Sequence, residues 1–215
     1  MKLFFALFSI AVIALAVYPF LDQSEKSESV HGLPWQIDAM PDGSTQVFGL
    51  HIGVSTLSDA VDVFGGDVEV AIIAATDEPG NLEMYYGHYR AGLLSGKLVL
   101  ETDVKQQKIK QWRDNAIMSE YMASGLAKKY ILAAEDLTQV LNETVVGLTF
   151  IPVVNLDEDV ILARFGEPSE RISAADVTHY LYPSKGLVIA LHESAKEVIQ
   201  YVHPRAFERL SQPLR

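Results

Sequence analysis

The chain has no cysteine among its 215 residues. That absence excludes a disulfide framework, a thiolate metal site and the lipid-modified N-terminal cysteine of a bacterial lipoprotein. Basic residues are also few, 17 Lys and Arg against 28 Asp and Glu, which leaves a formal net charge of -11. Binding nucleic acid through its phosphates needs Lys and Arg clustered on one face, so the balance argues against nucleic acid as a partner. Motifs of catalysis are missing as well. The run Gly92-Leu93-Leu94-Ser95-Gly96-Lys97 invites comparison with a phosphate loop, but its glycine spacing is too short and Leu98 stands where a Ser or Thr would meet magnesium. There is no nucleophile elbow, no zincin motif and no Ser, His and Asp grouping that spacing supports. His179, His192 and His203 fall on successive predicted strands, but strand alternation and the lack of close ligand spacing count against a metal site. No catalytic residue, cofactor or metal is expected, although scattered catalytic residues leave a hydrolase as a third reading.

What is present is apolar content, 49% hydrophobic, enough for a sizeable core. Leu3 to Phe20 carries no charge over 18 residues, close to the length that spans a bilayer. Lys2 precedes it and Asp22, Glu25 and Glu28 follow, so the positive-inside rule places the N-terminus in the cytoplasm. The expectation is a single-pass bacterial inner-membrane protein with a periplasmic body. Ala14-Leu15-Ala16 offers the alternative of signal cleavage and a soluble periplasmic protein.

Five segments follow from the pass along the chain. Residues 1–21 are the transmembrane anchor or signal peptide, and 22–33 are a polar flexible tether. Residues 34–102 form a first α+β unit: a hairpin from Pro34 to Leu50, a helix capped by Ser55 or Thr56 and stopped by Gly65-Gly66, and strands at Val68–Ala75, Leu82–His88 and Leu93–Glu101. Residues 103–144 hold connecting helices, of which the first is a long amphipathic helix to about Ser124. Residues 145–215 form a second unit, with a helix capped at Asn155, buried through Leu156, Val160 and Ala163 with Ile161 and Phe165 beside them, and stopped by Phe165-Gly166-Glu167-Pro168. Strands at Val177–Tyr182, Leu187–Leu191 and Val198–His203 make its meander. The expected fold is α+β: a transmembrane helix, then two helix-plus-antiparallel-meander units joined by the long helix.

Two residue groups are candidates for contact with a partner. Lys105, Lys108, Lys110 and Arg113 give the long helix a basic patch, suited to anionic headgroups or an acidic partner, or simply a solvated helix face. Tyr85, Tyr86 and Tyr89, near His88 and Arg90, suggest a ligand pocket or ordinary sheet tyrosines.

Leu156 to Pro168, then Tyr180-Leu181-Tyr182-Pro183 and Gly186-Leu187-Val188-Ile189, resembles the small envelope domains of the BamE (SmpA/OmlA) type. More distantly, it is similar to the duplicated β-lactamase-inhibitor-protein fold, with Gly53 to Tyr86 as a looser copy. The whole chain also resembles uncharacterised membrane-anchored proteins of proteobacteria. The resemblance implies an α+β fold and binding rather than catalysis. The function expected is therefore a non-enzymatic, membrane-tethered binding or assembly module that meets another envelope protein. A periplasmic small-molecule or lipid-binding protein, with a pocket between the halves, is the alternative.

Overall fold

The computed structural model describes residues 31–215. Strand accounts for 41% of these residues and helix for 24%. Among the described residues thirteen strands and five short α-helices follow one another. Strands β1 (Ile37–Ala39), β2 (Thr45–Val47) and β3 (Leu50–His51) make a small antiparallel sheet. Helix α1 (Leu57–Phe64) leads into β4 (Glu69–Ala75), β5 (Asn81–Ala91) and β6 (Leu94–Thr102). Next come α2 (Gln106–Asp114), the hairpin β7 (Met118–Tyr121) and β8 (Ala127–Ile131), and α3 (Ala134–Val140). The remainder is β9 (Val145–Pro152), α4 (Glu158–Phe165), β10 (Glu170–Ala174), β11 (Val177–Tyr182), β12 (Leu187–His192), β13 (Val198–Val202) and α5 (Glu208–Ser211).

The large strands form one antiparallel sheet of ten, in the order β10-β11-β12-β13-β9-β6-β5-β4-β8-β7. Its seam is β6 against β9, where Leu98 lies opposite Phe150 and Leu100 opposite Leu148. Because side chains alternate along a strand, each strand offers one set of residues to each face. Leu82, Met84, Tyr86, Leu98, Leu100, Leu148, Phe150, Ile199 and Tyr201 point to the front, where Leu57, Ile109, Trp112, Val140, Ile161 and Phe165 from α1 to α4 join them in one buried core. The back carries a smaller cluster, Leu181 and Val188 under Phe207, with Ile172, Leu210 and Leu214 at its margin. The C-terminal segment therefore covers the β10–β12 end of the back face.

Two tyrosines fasten the start of the described chain to the front. The Tyr89 hydroxyl donates to the Gly32 carbonyl at 2.7 Å, and the Tyr201 hydroxyl donates to the Pro34 carbonyl at 2.7 Å. Residues 32 and 33, expected to belong to a flexible tether, are thus held against the sheet.

Several expectations are corrected. Two units bridged by a long helix do not exist, because β6 pairs directly with β9 and the halves share one sheet and one core. The expected helix to Ser124 ends at Asp114, where Asn115 caps it with its amide on the Gln111 carbonyl. Met118 to Tyr121 then pairs with Lys128 to Ile131, and Gly125, at φ 71°, closes the turn between them. In the second half, Asp157 rather than Asn155 caps α4, accepting from the Val160 amide at 2.8 Å. The buried residues of that helix are Ile161 and Phe165, while Val160 is exposed.

The transmembrane helix, and the single-pass inner-membrane placement drawn from it, are also corrected. Among the described residues no helix is long and apolar enough to cross a membrane. The longest, α2, has 9 residues, roughly 14 Å against a hydrocarbon core of about 30 Å. The segment 1–21 that carried both the anchor and the cleavage expectation lies outside the described residues.

Candidate binding surface

The sheet's pleat decides what becomes of the expected tyrosine cluster. Tyr85 and Tyr86 are adjacent on β5 and point to opposite faces. Tyr86 is 2% exposed in the front core, edge-on to Phe64 at 5.2 Å between ring centres. Its hydroxyl is buried without a protein partner, and burial pushes its pKa up to about 12. A register shift between Tyr86 and Tyr89 keeps Tyr89 on the front as well, where burial again pushes the phenol up to about 12. Tyr89 lines a cleft of about 840 Å³ with Trp35, Phe64 and Arg90. Much of the aromatic surface there is already engaged: Trp35 meets Phe165 edge-on and lies under the Arg164 guanidinium at 4.8 Å. Tyr85 alone of the three reaches the back face.

The basic patch on α2 is divided in the same way. Lys108 bonds Glu143 at 2.6 Å and lies 5.7 Å from the Trp112 ring centre. Arg113 donates to the Glu78 and Pro79 carbonyls at 3.1 and 3.2 Å, clamping the β4–β5 turn. Lys110 and Arg113 line a second cleft, of about 790 Å³, with Asp77, Glu78 and Asp114, so its charges are mixed. Lys105 occupies the N-cap position of α2, and its side chain makes no cap hydrogen bond. Four cations in sequence thus become separate contacts. One cleft is lined by residues 31–90 and another by residues 156–193, each inside one half.

A Ser, His and Asp grouping unseen in sequence sits at the β1–β2 turn. The Ser44 hydroxyl meets both Asp42 and the His51 Nε2, and the same Nε2 stands 3.4 Å from the Asp42 carboxylate. Nucleophilic catalysis needs serine and carboxylate on different ring nitrogens, so that the imidazole can pass a proton between them. Here both use one nitrogen, and Ser44 is 1% exposed. The grouping is a turn lock, and the Ser44 hydroxyl and amide hold the Asp42 carboxyl below its usual range. Among the described residues no group of three or more His, Cys, Asp or Glu is arranged to hold a metal ion. His179 and His192 share the back face, but His203 caps the turn after β13, its Nδ1 accepting from the Arg205 amide at 3.0 Å.

The back face holds the surface that pattern reasoning missed. Tyr85, Val99, Thr149 and Gln200 stand opposite one another in register across β5, β6, β9 and β13. Ile151 on β9 and Val198 on β13 extend the patch by one row. All six are half-buried, whereas Val188 and Leu181, further along the Tyr85 row, are sealed beneath the C-terminal segment. Glu69, His88 and Lys97 form a polar rim beside Tyr85, around a shallow cleft of about 470 Å³. On the other side of Tyr85, Glu83 lies opposite Glu101. Desolvation, then the Glu101 charge, pushes the Glu83 carboxyl up to about 7. Arg209 approaches Glu101 at 3.7 Å, which ties the C-terminal segment to the margin of the patch. The sequence signal for this surface was weak, because it is assembled from alternate residues of four strands, two in each half of the chain.

Comparison with protein families, curated proteins and solved structures finds no match for this chain.

Proposed function

We propose that this protein is a binding module whose back sheet face receives another folded protein. The observation that carries the reading is the six-residue patch of Tyr85, Val99, Thr149, Ile151, Val198 and Gln200, half-buried at the centre of a ten-stranded sheet. Such a patch has an apolar and aromatic middle and a charged rim, the anatomy of a protein-binding surface. Strands hydrogen-bonded on both sides fix its side chains, so little ordering entropy is lost on docking. The resemblance of residues 156–168 to envelope binding domains points the same way, and an envelope protein is the partner class it suggests.

A photo-crosslinking residue placed at Thr149 in the full chain tests the reading. Capture of one recurrent protein is expected, and a Tyr85→Asp, Gln200→Asp background lowers the yield about tenfold, the loss of a hot-spot pair. The melting temperature stays near that of the parent because both positions are part-exposed. Repeated recovery of the protein alone, from cells that express it natively, refutes the proposal.

A further inference from the structure

The front face carries a cleft of about 790 Å³ between α2, the β4–β5 turn and the ends of β8 and β7. Its floor follows from register. Tyr121, Lys128 and Ala74 stand opposite one another across β7, β8 and β4, and Tyr130 lies one row inward, opposite Ile72 of the front core. Ala74 contributes only a methyl group between longer neighbours, which hollows the row. Arg113 reaches from α2 to the Glu78 and Pro79 carbonyls, and that clamp fixes the walls before any ligand arrives.

The cations of this cleft are left unmatched by its own residues. Lys108, Lys129, Arg171, Arg209 and Arg215 each meet a carboxylate. Lys110, Arg113 and Lys128 line the cleft and meet none among the described residues, although Asp77, Glu78 and Asp114 line it as well. Those three acids are exposed, whereas Lys128 and Arg113 are half-buried. An anion drawn past the rim therefore feels Lys128 with less screening than it feels the acids in open water. Flat apolar surface lies at the same place. Lys128 stands 4.7 Å from the Tyr121 ring centre, and Tyr121 is 68% exposed.

We infer that this cleft binds a small phosphate monoester carrying a flat ring, with the dianionic head between Lys110 and Lys128 and the ring against Tyr121. Two ammonium groups without carboxylates match two negative charges, and lysine is a common point-charge partner for phosphate. The exposed acids set an upper limit, since they repel the further charges of a polyphosphate or a nucleic-acid backbone.

Phenyl phosphate is the probe, titrated into the full-length protein and followed by the NMR linewidth of the ligand. A Kd of about 1 mM or tighter is expected for a ligand of this size. Lys110→Gln with Lys128→Gln weakens it at least about tenfold, the loss of hydrogen bonds to a charged group. Arg90→Gln with Lys105→Gln removes the same charge outside the cleft and leaves the affinity unchanged. Inorganic phosphate, which lacks the ring, binds about fivefold more weakly than phenyl phosphate, and Tyr121→Ser abolishes that margin. Benzoate, with the ring but a single charge, is also weaker by about fivefold. All of these positions are exposed or half-buried, so the melting temperatures stay near that of the parent. No saturable binding of phenyl phosphate at millimolar concentrations, equal weakening by the Arg90 and Lys105 pair, or benzoate binding as tightly as phenyl phosphate would each overturn the inference.

Discussion

Glu83 and Glu101 face each other across β5 and β6, and the cost falls on Glu83, whose carboxyl is pushed up to about 7 by burial and then by its neighbour. In the unfolded chain a glutamate titrates near 4.5. The folded state therefore holds this proton more tightly, a contribution that is complete below pH 4.5 and is lost as pH rises through 7. Glu83→Gln removes the charge that the site resists. It should raise the melting temperature at pH 8 by roughly 2–4 °C, about 1 kcal/mol once part-exposure is discounted, and the gain should vanish near pH 5. Calorimetry at the two pH values checks the sign. None of this was legible in sequence, where Glu83 and Glu101 stand 18 residues apart with nothing to mark them as neighbours. By contrast the cap of α1 was readable to within one residue, as Ser55 or Thr56, and Thr56 carries it through local reciprocal bonds with Asp59.

Among the elements, the β6–β9 seam is the most demanding, and Gly96 shows why. It pairs with Pro152, and a Cβ there would strike the Phe150 ring and the Ile151 carbonyl. Phe150 is wholly buried and contacts Phe48 and Tyr89, so it has nowhere to move. Gly96→Ala is expected to cost about 1–3 kcal/mol by overpacking, measured as a lower denaturant midpoint with an unchanged slope. Glycines in strands ordinarily mark such close approaches, and here the phosphate-loop comparison drew attention to Gly96 for the wrong reason. The elements misread from sequence were those whose pattern fits two periods. Ile117, Met118, Tyr121 and Met122 recur at helical spacing, and only the pairing with β8 makes Met118 to Tyr121 a strand. β10 has a single large apolar residue, Ile172, with only Ala174 to continue its face, and so shows little alternation to read.

At the scale of the molecule, one sheet and one front core contain both halves, so the described body should unfold as a unit. Calorimetric and van't Hoff enthalpies are expected to agree, and fragments cut within residues 103–144 should not fold separately. Two independent transitions would contradict the shared core. Helix stops at Gly65-Gly66 and Gly166-Glu167-Pro168 and strand runs after each were legible locally, but the two-unit fold built on them was not. The joining of the halves was not legible either, because a pairing between residues 96–102 and 145–152 leaves no local trace. The patch on the back face depends on that joining, with Tyr85 and Val99 from one half and Thr149 and Gln200 from the other.

The same seam sets a timetable for synthesis. β6 is complete at Thr102, and its partner β9 is complete only at Pro152. At about 5–20 residues per second the ribosome needs some 2.5–10 s to supply the missing strand. Throughout that interval Leu98 and Leu100 sit on an unpaired edge, which makes the half-made chain, rather than the finished protein, the species that calls for a chaperone.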